Sequence, residues 1–480
     1  MAKPLHEPGV IVDGFRLEEA VHRGGMAMLW RVTKPGLTQP MLMKVPRIGE
    51  GADPAAIVSF EMEQMIMPRL EGRHVPKVFA VGGFATQPYL VMERIEGQSL
   101  LAKLDSLPLP YDEVADIGVS IATALDNLHR QHVIHLDIKP SNIMMRPSGE
   151  AVLLDFGLSH HQQLPDLMQE EFRLPFGTAP YMSPEQLLGV RNNPRSDQFA
   201  LGVLLYFFST GVRPFGEGER MSAMRRRLWR DPEPPRRLKR DYPAWLQEIV
   251  LRCLEIEPSW RYPTMAQLAF DLSLRDQVKL TGRSERLKPD GLTTVLRRRF
   301  NKELTRPRPK SELAAAHYSA PIIAVAIDLD GSNAITEELR ATVGRILKTL
   351  PSARLACVNV LKQSRISIDT TLDASGHNKH VDRIVRLKHW AEPLKLREDR
   401  LTTHVLEEID PAAAILEFAQ SNRVDHVLIG ARQDSLMRKL LGSVSAKVAA
   451  EATCTVTVVR PRQAEPVQTA RVEPPAETAA

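Results

Sequence analysis

The stretch of sequence that decides the fold is His135-Leu136-Asp137-Ile138-Lys139-Pro140-Ser141-Asn142, which is followed by Asp155-Phe156-Gly157. An aspartate with a lysine two residues later and an asparagine five residues later combines three kinds of chemistry. The Asp137 carboxylate can accept the proton of an attacking hydroxyl, and the Lys139 ammonium can neutralise a migrating phosphoryl group. The side-chain oxygens of Asn142 and Asp155 can hold a magnesium ion. This spacing is typical of a phosphoryl-transfer loop.

A second group of charged residues lies upstream. Residues 41–44 have the pattern of a buried strand that ends on Lys44, and residues 59–70 have apolar side chains at helical spacings. With these parts in this order, the chain resembles the protein kinases, in which such a lysine grips the α- and β-phosphates of ATP. The lysine needs a glutamate partner on the next helix. The family pattern of a phenylalanine three residues before that glutamate favours Glu63 over Glu61.

The resemblance implies an ATP site built from the first hundred residues and the catalytic loop. Kinases similar to this chain carry G-x-G-G-M-G before an aromatic residue, whereas here His22 and Ala27 replace the first and third glycines. Residues 89–97 resemble the strand and hinge that receive adenine, and Met92 would line the back of the pocket. We therefore expect magnesium ligands at Asn142 and Asp155. The ATP contacts that we expect are Val21, Gly24, Gly25, Leu29, Lys44, Met92, Glu93 and Ile95.

Residues 155–185 resemble an activation segment that leads into a substrate-docking loop. Lys139 together with Gly177 and Thr178 resembles the Ser/Thr kinases rather than the tyrosine kinases. The resemblance assigns the catalytic roles to Asp137, Lys139, Lys44 and Glu63, and substrate docking to Gly177 and Thr178. It also implies that Glu185 pairs with Arg261, because a buried carboxylate needs such a partner. Asp197 is expected to bond the backbone of the catalytic loop.

Position 136 departs from the family pattern. The common motif is His-Arg-Asp, and its arginine normally binds a phosphate on the activation segment, which Leu136 cannot do. Between Asp155 and Gly177 the only hydroxyl-bearing residue is Ser159. Because the usual phosphate receptor and the usual phosphate site are both missing, we expect that switching on does not require phosphorylation of this segment.

Length and composition limit the number of domains and the classes of protein that remain possible. A chain of 480 residues with 43% apolar residues can hold two or three domains with large cores. The net charge of +5, from 63 basic and 58 acidic residues, makes no case for nucleic-acid binding. No stretch has the apolar length of a signal peptide or a membrane span, so we expect a cytoplasmic protein. Three widely spaced cysteines are expected to be buried thiols in a reducing compartment, namely Cys253, Cys357 and Cys454.

We assign residues 14–277 to the kinase-like domain, with a small lobe of about residues 14–95 and a large lobe of about residues 96–277. Residues 278–317 are polar and basic, which favours a solvated linker. Two alternatives stay open for this segment. It could dock on an acidic surface or a membrane face, or it could latch the two domains together. The first rests on apolar residues at helical spacings beside the arginines, namely Leu292, Val295, Leu296 and Phe300.

Residues 318–460 alternate strand and helix, which favours a parallel sheet with covering helices. The predicted strands are 322–328, 355–361, 425–430 and 455–460, and the predicted helices are 336–350, 411–420 and 443–451. This part resembles a universal stress protein domain. The resemblance rests on the strand that ends at Asp328, on residues 427–432, on residues 441–444 at the start of a helix, and on the closing strand.

A second nucleotide site is the open question in this domain. Members that bind ATP use G-x-x-G, nine residues, and then G-S/T, because helix N-terminal amides point at anions. Here Gln433 replaces the second glycine, and eight residues separate it from Gly442. A structural or dimerising sheet is therefore favoured over a nucleotide site, and the resemblance implies a homodimer through this domain. The candidate residues for nucleotide binding are Asp328, Gly430, Gly442 and Ser443.

Two polar stretches and two histidines complete the chain. Residues 362–403 are expected to form a solvated insertion, since His377, His380 and His389 lie among charged residues without a preformed metal geometry. Residues 461–480 are rich in Pro, Ala and Glu and are expected to be a disordered tail. His160 and His161 are expected to be loop residues.

The predicted fold class is an α+β bilobal protein kinase fold followed by an α/β domain with a parallel sheet. The predicted function is phosphorylation of Ser/Thr hydroxyls on protein substrates with ATP and Mg²⁺, regulated by the C-terminal domain. One alternative makes the C-terminal domain the principal part, as a nucleotide or stress sensor that gates the kinase. The other is a nucleotide-binding pseudokinase or scaffold that signals by contact, which the altered glycine-rich loop and Leu136 favour. Against it, the expected lysine, glutamate, aspartates and asparagine are all present at family spacing.

Overall fold

The computed structural model describes residues 7–24, 26–48, 53–172, 174–216, 220–301, 320–363, 372–373, 378–431 and 443–460. Within these ranges a two-lobed α+β unit is followed by an α/β unit with a parallel sheet. This arrangement confirms the predicted fold class. Gly25, His377 and Gly442, together with the expected tail at 461–480, lie outside the described residues.

The small lobe is an antiparallel sheet with one helix. Six strands lie in the order β1-β2-β3-β4-β6-β5. They are β1 (Ile11–Val12), β2 (Phe15–Arg23), β3 (Ala27–Lys34), β4 (Leu37–Pro46), β5 (Val78–Gly82) and β6 (Tyr89–Glu93). Helix α1 (Pro54–Ile66) begins earlier than the sequence predicted, because the Asp53 side chain caps it by accepting from the Ala55 N–H. One face of the sheet buries Phe15, Leu17 and Trp30, and the other face packs on α1.

The large lobe is mainly helical. Its helices are α2 (Tyr111–Arg130), α3 (Leu167–Glu171), α4 (Pro184–Leu187), α5 (Arg195–Thr210), α6 (Met221–Met224), α7 (Pro235–Leu238), α8 (Ala244–Cys253) and α9 (Met265–Ser273). Its short strands are β7 (Gln98–Ser99), β8 (Val133–Ile134), β9 (Ile143–Met145), β10 (Ala151–Leu153) and β11 (His160–His161). Helix α5 is buried along almost its whole length, so it forms the core of the large lobe.

Strand β11 corrects one expectation. His160 and His161 are not exposed loop residues: both are buried, and they pair with Ile134 and Val133 of β8. The His160 Nδ1 lies 3.0 Å from the Asp166 carboxylate. A polar pair shortly after Asp155-Phe156-Gly157 looks like a loop in sequence, but its pairing with β8 depends on the chain returning to the catalytic loop.

The basic segment after residue 277 was expected to be solvated, but residues 279–301 pack against the large lobe. Arg283 forms ion pairs with Glu248 and Glu255, and Arg286 forms an ion pair with Asp231. Helix α10 (Leu292–Arg299) buries Val295, whereas Leu292, Leu296 and Phe300 are exposed. Arg283 and Arg286 of this segment are therefore matched by acidic side chains on the lobe.

The C-terminal unit is a five-stranded sheet in the order β14-β13-β12-β15-β16, and every pairing is parallel. The strands are β12 (Ile322–Ala326), β13 (Arg354–Lys362), β14 (Leu401–Glu408), β15 (His426–Gly430) and β16 (Thr455–Val459). The helices are α11 (Asn333–Thr349), α12 (Lys379–Ala391), α13 (Pro411–Ser421) and α14 (Ser443–Glu451). In the part of the chain that the structure describes, no helix combines the length and apolar character that a membrane crossing requires.

The prediction of a solvated insertion at 362–403 is wrong for its second half. Helix α12 lies there, and β14 begins at Leu401 and forms the edge of the sheet beside β13. Ile384, Leu387 and Trp390 are buried at helical spacings, but the charged residues between them hide this pattern in sequence. His380 is buried against Glu407 rather than solvated, whereas His389 is exposed.

Short 3₁₀ turns join these elements. They are Met67–Arg69, Leu100–Ser106, Pro140–Asn142, Arg225–Leu228, Pro258–Trp260, Arg275–Gln277, Glu392–Leu394 and Glu398–Arg400. The turn at Pro140–Asn142 directly follows Lys139, so it determines where the end of the catalytic-loop stretch points.

Candidate active site

Lys44 connects the two lobes. It lies in β4 with Leu29 of β3 and Leu90 of β6 on either side. Its Nζ lies 2.6 Å from Glu63 Oε2 on α1 and 2.9 Å from Asp155 Oδ1 in the large lobe. Burial alone would lower the pKa of Lys44, but Asp155 and Glu63 outweigh it and raise that pKa. Lys44 is therefore a fixed cation at the junction of the lobes.

The catalytic-loop backbone is held by Asp197 from the start of α5. Its Oδ2 accepts from the His135 N–H at 2.9 Å, and its Oδ1 accepts from the Leu136 N–H at 2.8 Å. His129 Nε2 lies 2.8 Å from the same carboxylate. These bonds confirm the predicted role of Asp197. They hold Leu136 at a φ of +63°. This conformation is unfavourable for a leucine, and the two hydrogen bonds from Asp197 help to maintain it.

Asp137 lies at the centre of a polar network. The Lys139 Nζ donates to its Oδ2 at 2.6 Å and to Thr178 Oγ1 at 3.0 Å. The Thr178 hydroxyl and backbone N–H both donate to Asp137 Oδ1, at 2.7 and 3.1 Å. Asn142 Nδ2 donates to the Asp137 carbonyl at 3.0 Å and to its Oδ2 at 3.1 Å. The structure thus brings the predicted catalytic pair, one predicted metal ligand and Thr178 into direct contact.

Asn142 and Asp155 suit a magnesium ion by the chemistry of their oxygens. Since Asn142 Nδ2 is used on Asp137, its amide oxygen is the atom left for a cation, and that oxygen accepts from the Ser141 hydroxyl at 3.2 Å. Lys44 lowers the pKa of Asp155, so this side chain is a carboxylate at neutral pH. Among the described residues no group of three or more His, Cys, Asp or Glu side chains could hold a metal by itself. Magnesium is commonly held by one or two protein ligands and the phosphates of its nucleotide, so the donor set fits.

The predicted adenine contacts surround the hinge after β6. Met92 and Glu93 end β6, and the Glu93 N–H is already used on the Lys77 carbonyl at 2.8 Å. The Glu93 carboxylate accepts from Arg146 of the large lobe at 2.8 Å, which ties the hinge to that lobe. Ile95 is buried immediately after the hinge. Gly97 then turns the chain at a φ of +137°.

The glycine-rich loop joins β2 and β3. Val21 lies in β2 and is 52% exposed, and Leu29 is half-buried in β3. The Gly24 N–H donates to the Ala27 carbonyl at 3.0 Å, which closes the turn. Gly25 lies outside the described residues, so its place in the loop stays a prediction.

The docking segment is anchored to the core of the large lobe. Arg261 donates from Nη1 to Glu185 Oε1 at 2.6 Å and from Nη2 to Oε2 at 2.9 Å, which confirms the predicted pair. Gly177 has a φ of +149°, and a Cβ there would lie 2.8 Å from Met182 Cγ. Gly177 and Thr178 therefore stand at the point where the activation segment meets the catalytic loop.

Ser159 cannot be reached by a phosphorylating enzyme in this arrangement. It is fully buried, and its hydroxyl donates to the His135 carbonyl at 3.1 Å. Leu136 is also buried, at 4% exposure. The one hydroxyl in residues 155–177 thus serves the catalytic loop as a structural bond.

The candidate residues for a second nucleotide site are only partly placed. Asp328 follows β12, and Gly430 ends the neighbouring parallel strand β15, so both lie at the carboxyl edge of the sheet. A Cβ at Gly430 would lie 2.4 Å from Ile335 Cγ2, so the glycine is explained by packing against α11. Ser443 begins α14, whereas Gly442 lies outside the described residues. Nucleotide binding here stays a prediction.

Sequence reasoning missed a cluster that joins the activation segment to the C-terminal unit. Glu170 and Glu171 of α3 meet Arg354 of β13 and His404 of β14. In sequence the two glutamates look like solvated charges, and His404 lies in a polar strand. No local sequence pattern identifies these residues as partners, because the partners lie about 180 to 230 residues apart along the chain.

Two known protein families match the chain, one for each of the two units of the fold. A family model described as protein kinase domain matches residues 18–271, which is more than half of the chain. A second, described as universal stress protein family, matches residues 320–460. These spans cover the residues of the polar network and the parallel sheet, respectively.

Similar proteins are bacterial kinases. A probable serine/threonine-protein kinase PknB of Corynebacterium glutamicum is 31% identical over 274 residues, covering 55% of this chain and 42% of that protein. Serine/threonine-protein kinase PknB of Mycolicibacterium smegmatis is 30% identical over 278 residues, covering 57% and 44%. The chain thus spans less than half the length of these relatives. The crystal structure of the Mycobacterium tuberculosis PknI kinase domain is 23% identical, with a TM-score of 0.44, and covers 56% of this chain and 98% of that one.

Proposed function

Because the chain belongs to the protein kinase family and carries a universal stress protein domain after its kinase domain, we propose that it phosphorylates Ser/Thr hydroxyls of protein substrates. ATP with Mg²⁺, when bound, supplies the phosphoryl group and neutralises part of its charge. The proposal treats 14–277 as the kinase domain and 318–460 as the regulatory domain. The relatives' printed names support serine and threonine as the acceptors.

One observation carries the proposal: Lys44, Glu63 and Asp155 are in direct contact while Asp137, Lys139 and Asn142 form a second cluster in the large lobe. In a kinase, positioning and electrostatic stabilisation supply most of the acceleration. Two clusters that are already assembled support an active enzyme rather than a scaffold, because a scaffold needs neither the ion pair nor the polar network.

Each residue then has a role that follows from its contacts. Asp137 accepts the proton of the incoming hydroxyl, and Lys139, 2.6 Å from it, holds the migrating group from the same side. Thr178 bonds both, so it places the substrate-docking loop beside the reacting hydroxyl. Lys44, held by Glu63, would bind the α- and β-phosphates of ATP. Asn142 and Asp155 would hold the metal.

We also infer that activation needs no phosphate on the activation segment. Leu136 offers no charge to a phosphate, and it is buried. Ser159, the single hydroxyl of residues 155–177, is buried and bonded to the catalytic loop. Both observations support a kinase whose activation segment is held by other means.

Transfer of labelled phosphate from ATP to a generic basic protein tests the proposed function. The purified full chain should transfer phosphate only with Mg²⁺, and phosphoamino-acid analysis should find serine or threonine. Asp137→Asn should remove transfer while it keeps the side-chain volume and the melting temperature. A wild-type chain that binds ATP without transferring phosphate would establish the scaffold instead.

A further inference from the structure

The C-terminal domain contacts two parts of the kinase domain, helix α1 and the activation segment. Helix α3 of the activation segment packs between α1, which carries Glu63, and strand β14 with helix α13 of the C-terminal domain. Asn422 Nδ2, directly after α13, donates to the Glu170 carbonyl at 3.3 Å. The activation segment therefore does not lie free on the kinase surface in this arrangement.

The centre of this interface is a buried charge cluster. Arg354 Nη1 lies 2.8 Å from Glu170 Oε1, and the Arg354 side chain is 4% exposed. His404 is fully buried between the two glutamates, with Nε2 3.1 Å from Glu170 Oε2 and Nδ1 2.9 Å from Glu171 Oε1. A histidine that faces a carboxylate with each ring nitrogen is suited to the doubly protonated, cationic form. Two carboxylates of the activation segment thus meet two cations of the C-terminal domain.

A second contact reaches helix α1 directly. Lys388 of α12 places its Nζ 2.5 Å from Glu61 Oε1 and 5.2 Å from the centre of the Phe84 ring. Glu61 lies two residues before Glu63, the partner of Lys44. The C-terminal domain therefore supports the helix that positions Lys44 as well as the activation segment.

Whether the C-terminal domain activates or inhibits the kinase domain follows from the contacts of the active site in this docked arrangement. Lys44 is paired with Glu63, and Asp155 lies 2.9 Å from Lys44. Phe156 is fully buried beside His135, with ring centroids 5.1 Å apart. The Lys44–Glu63 pair is the contact that the proposed reaction uses, so a domain that stabilises this arrangement of α1 and the activation segment favours activity.

We propose that Arg354 and His404 are positioning residues that hold the activation segment through Glu170 and Glu171, in place of a phosphate and its arginine receptor. The carboxylates supply the negative charge that phosphorylation would add, and the C-terminal domain supplies the cations that Leu136 cannot. Lys388 supports α1 at the same time. The domain thus activates the kinase by direct contact. This inference rests on the proposed function, because it concerns the control of the same site.

The test uses the full chain and compares two interface variants with one control. Arg354→Met should lower kcat/KM for a basic protein substrate about tenfold, within the five- to 150-fold range typical of coupled sites. Lys388→Gln should lower it about threefold, since that side chain is 42% exposed. Lys447→Gln removes an ion pair confined to the C-terminal domain, to Asp410 at 2.7 Å with Lys447 39% exposed, and should stay within about twofold of wild type.

Two further readouts separate positioning from simple loss of folding. Arg354→Lys keeps the charge and should recover most of the activity that Arg354→Met loses. Hydrogen exchange should rise in residues 159–172 for Arg354→Met and in α1 for Lys388→Gln, and in neither segment for Lys447→Gln. If Arg354→Met loses the melting transition of the C-terminal domain, Lys388→Gln and Arg354→Lys decide the outcome.

Either of two results overturns the inference. Interface variants that match Lys447→Gln would show that the contacts do not act on the kinase, and variants more active than wild type would show that the domain restrains it. A wild-type chain that transfers no phosphate is a different result, because it removes the proposed function itself.

Discussion

Arg261→Met is expected to destabilise the kinase domain severely, because it leaves a buried carboxylate without its partner. The Glu185–Arg261 pair is bidentate, at 2.6 and 2.9 Å, and the two side chains are 7% and 0% exposed. Burial alone would raise the pKa of Glu185, but Arg261 outweighs it and holds that pKa below its ordinary value. The substitution removes the positive charge of Arg261, whereas the Glu185 carboxyl stays buried.

The expected loss of stability follows from the groups with which the Arg261 guanidinium forms hydrogen bonds. Breaking a buried ion pair by removing one partner costs about 3–5 kcal/mol. Here Arg261 also donates to the carbonyls of Arg195, Glu255 and Ile256, which places the cost toward the upper end. At roughly 2–4 °C per kcal/mol for a domain of this size, the melting temperature should fall by about 6–20 °C.

Thermal and urea unfolding of the full chain measure this loss, with Arg237→Met as the matched control. Arg237 Nε lies 2.8 Å from Glu233, but these side chains are 49% and 42% exposed, so the control should lose at most about 1 kcal/mol. The penalty of Arg261→Met should also shrink as pH falls from 7 toward 5, because the abandoned Glu185 can then take up a proton. A loss under about 1 kcal/mol for Arg261→Met would refute the reasoning.

Three further predictions concern the metal ligand, the hinge and the domain interface. Asp155→Asn should lower the single-turnover rate of phosphate transfer by about 10²–10³, because it removes the charge of the proposed metal ligand and a partner of Lys44, and an unchanged rate would contradict the proposed role. Gly97→Ala should cost more than about 2 kcal/mol and raise KM for ATP, since its Cβ would lie 2.0 Å from the Met145 carbonyl oxygen at a φ of +137°; calorimetry and steady-state kinetics check this. Glu170 and Glu171 outweigh burial and raise the pKa of His404 to about 9, above the ordinary 6.5. Arg354 and His404 outweigh burial and lower the pKa of Glu170, whereas burial outweighs His404 and His380 and raises the pKa of Glu171, with Glu61 acting in the same direction as burial. The stabilisation is therefore complete below about pH 6.5 and lost as pH rises through 9, so the melting difference between wild type and His404→Gln should shrink over that window, and a constant difference would contradict it.

Much of the kinase site could be predicted because its chemistry is carried by short stretches. The spacing of Asp137, Lys139 and Asn142 places all three on one loop, and the structure brings them within hydrogen-bond reach of each other. Lys44 and Glu63 were predicted as a pair from a strand and the following helix, and their contact is 2.6 Å. Local pattern decides such elements, so sequence is sufficient for them.

The C-terminal sheet shows where local pattern fails. Strand β12 is an unbroken apolar run and was predicted, but β14 carries Thr402, Thr403 and His404, which look solvated. These polar side chains are buried, and His404 is bonded to Thr402 and to Glu171 of the kinase. A polar strand can be buried when another domain supplies its partners, and sequence does not reveal which domain does so.

The prediction of a solvated linker was wrong for residues 279–301 for a similar reason. Its arginines indicated a solvated linker, yet Arg283 and Arg286 are matched by Glu248 and Asp231 on the large lobe. Charge in a sequence is read as exposure unless the opposite charge is known to be nearby. That knowledge comes only from the tertiary fold.

The most direct test of a kinase that is active without a phosphate on its activation segment is phosphate transfer by the full chain after exhaustive phosphatase treatment and removal of the phosphatase. We expect the first turnover to run at the full rate, mass spectrometry to find residues 155–177 unmodified, and Asp137→Asn to transfer nothing. A lag that ends only when a phosphate appears in this segment would show that activation requires phosphorylation, and transfer that survives Asp137→Asn would remove the proposed role of Asp137.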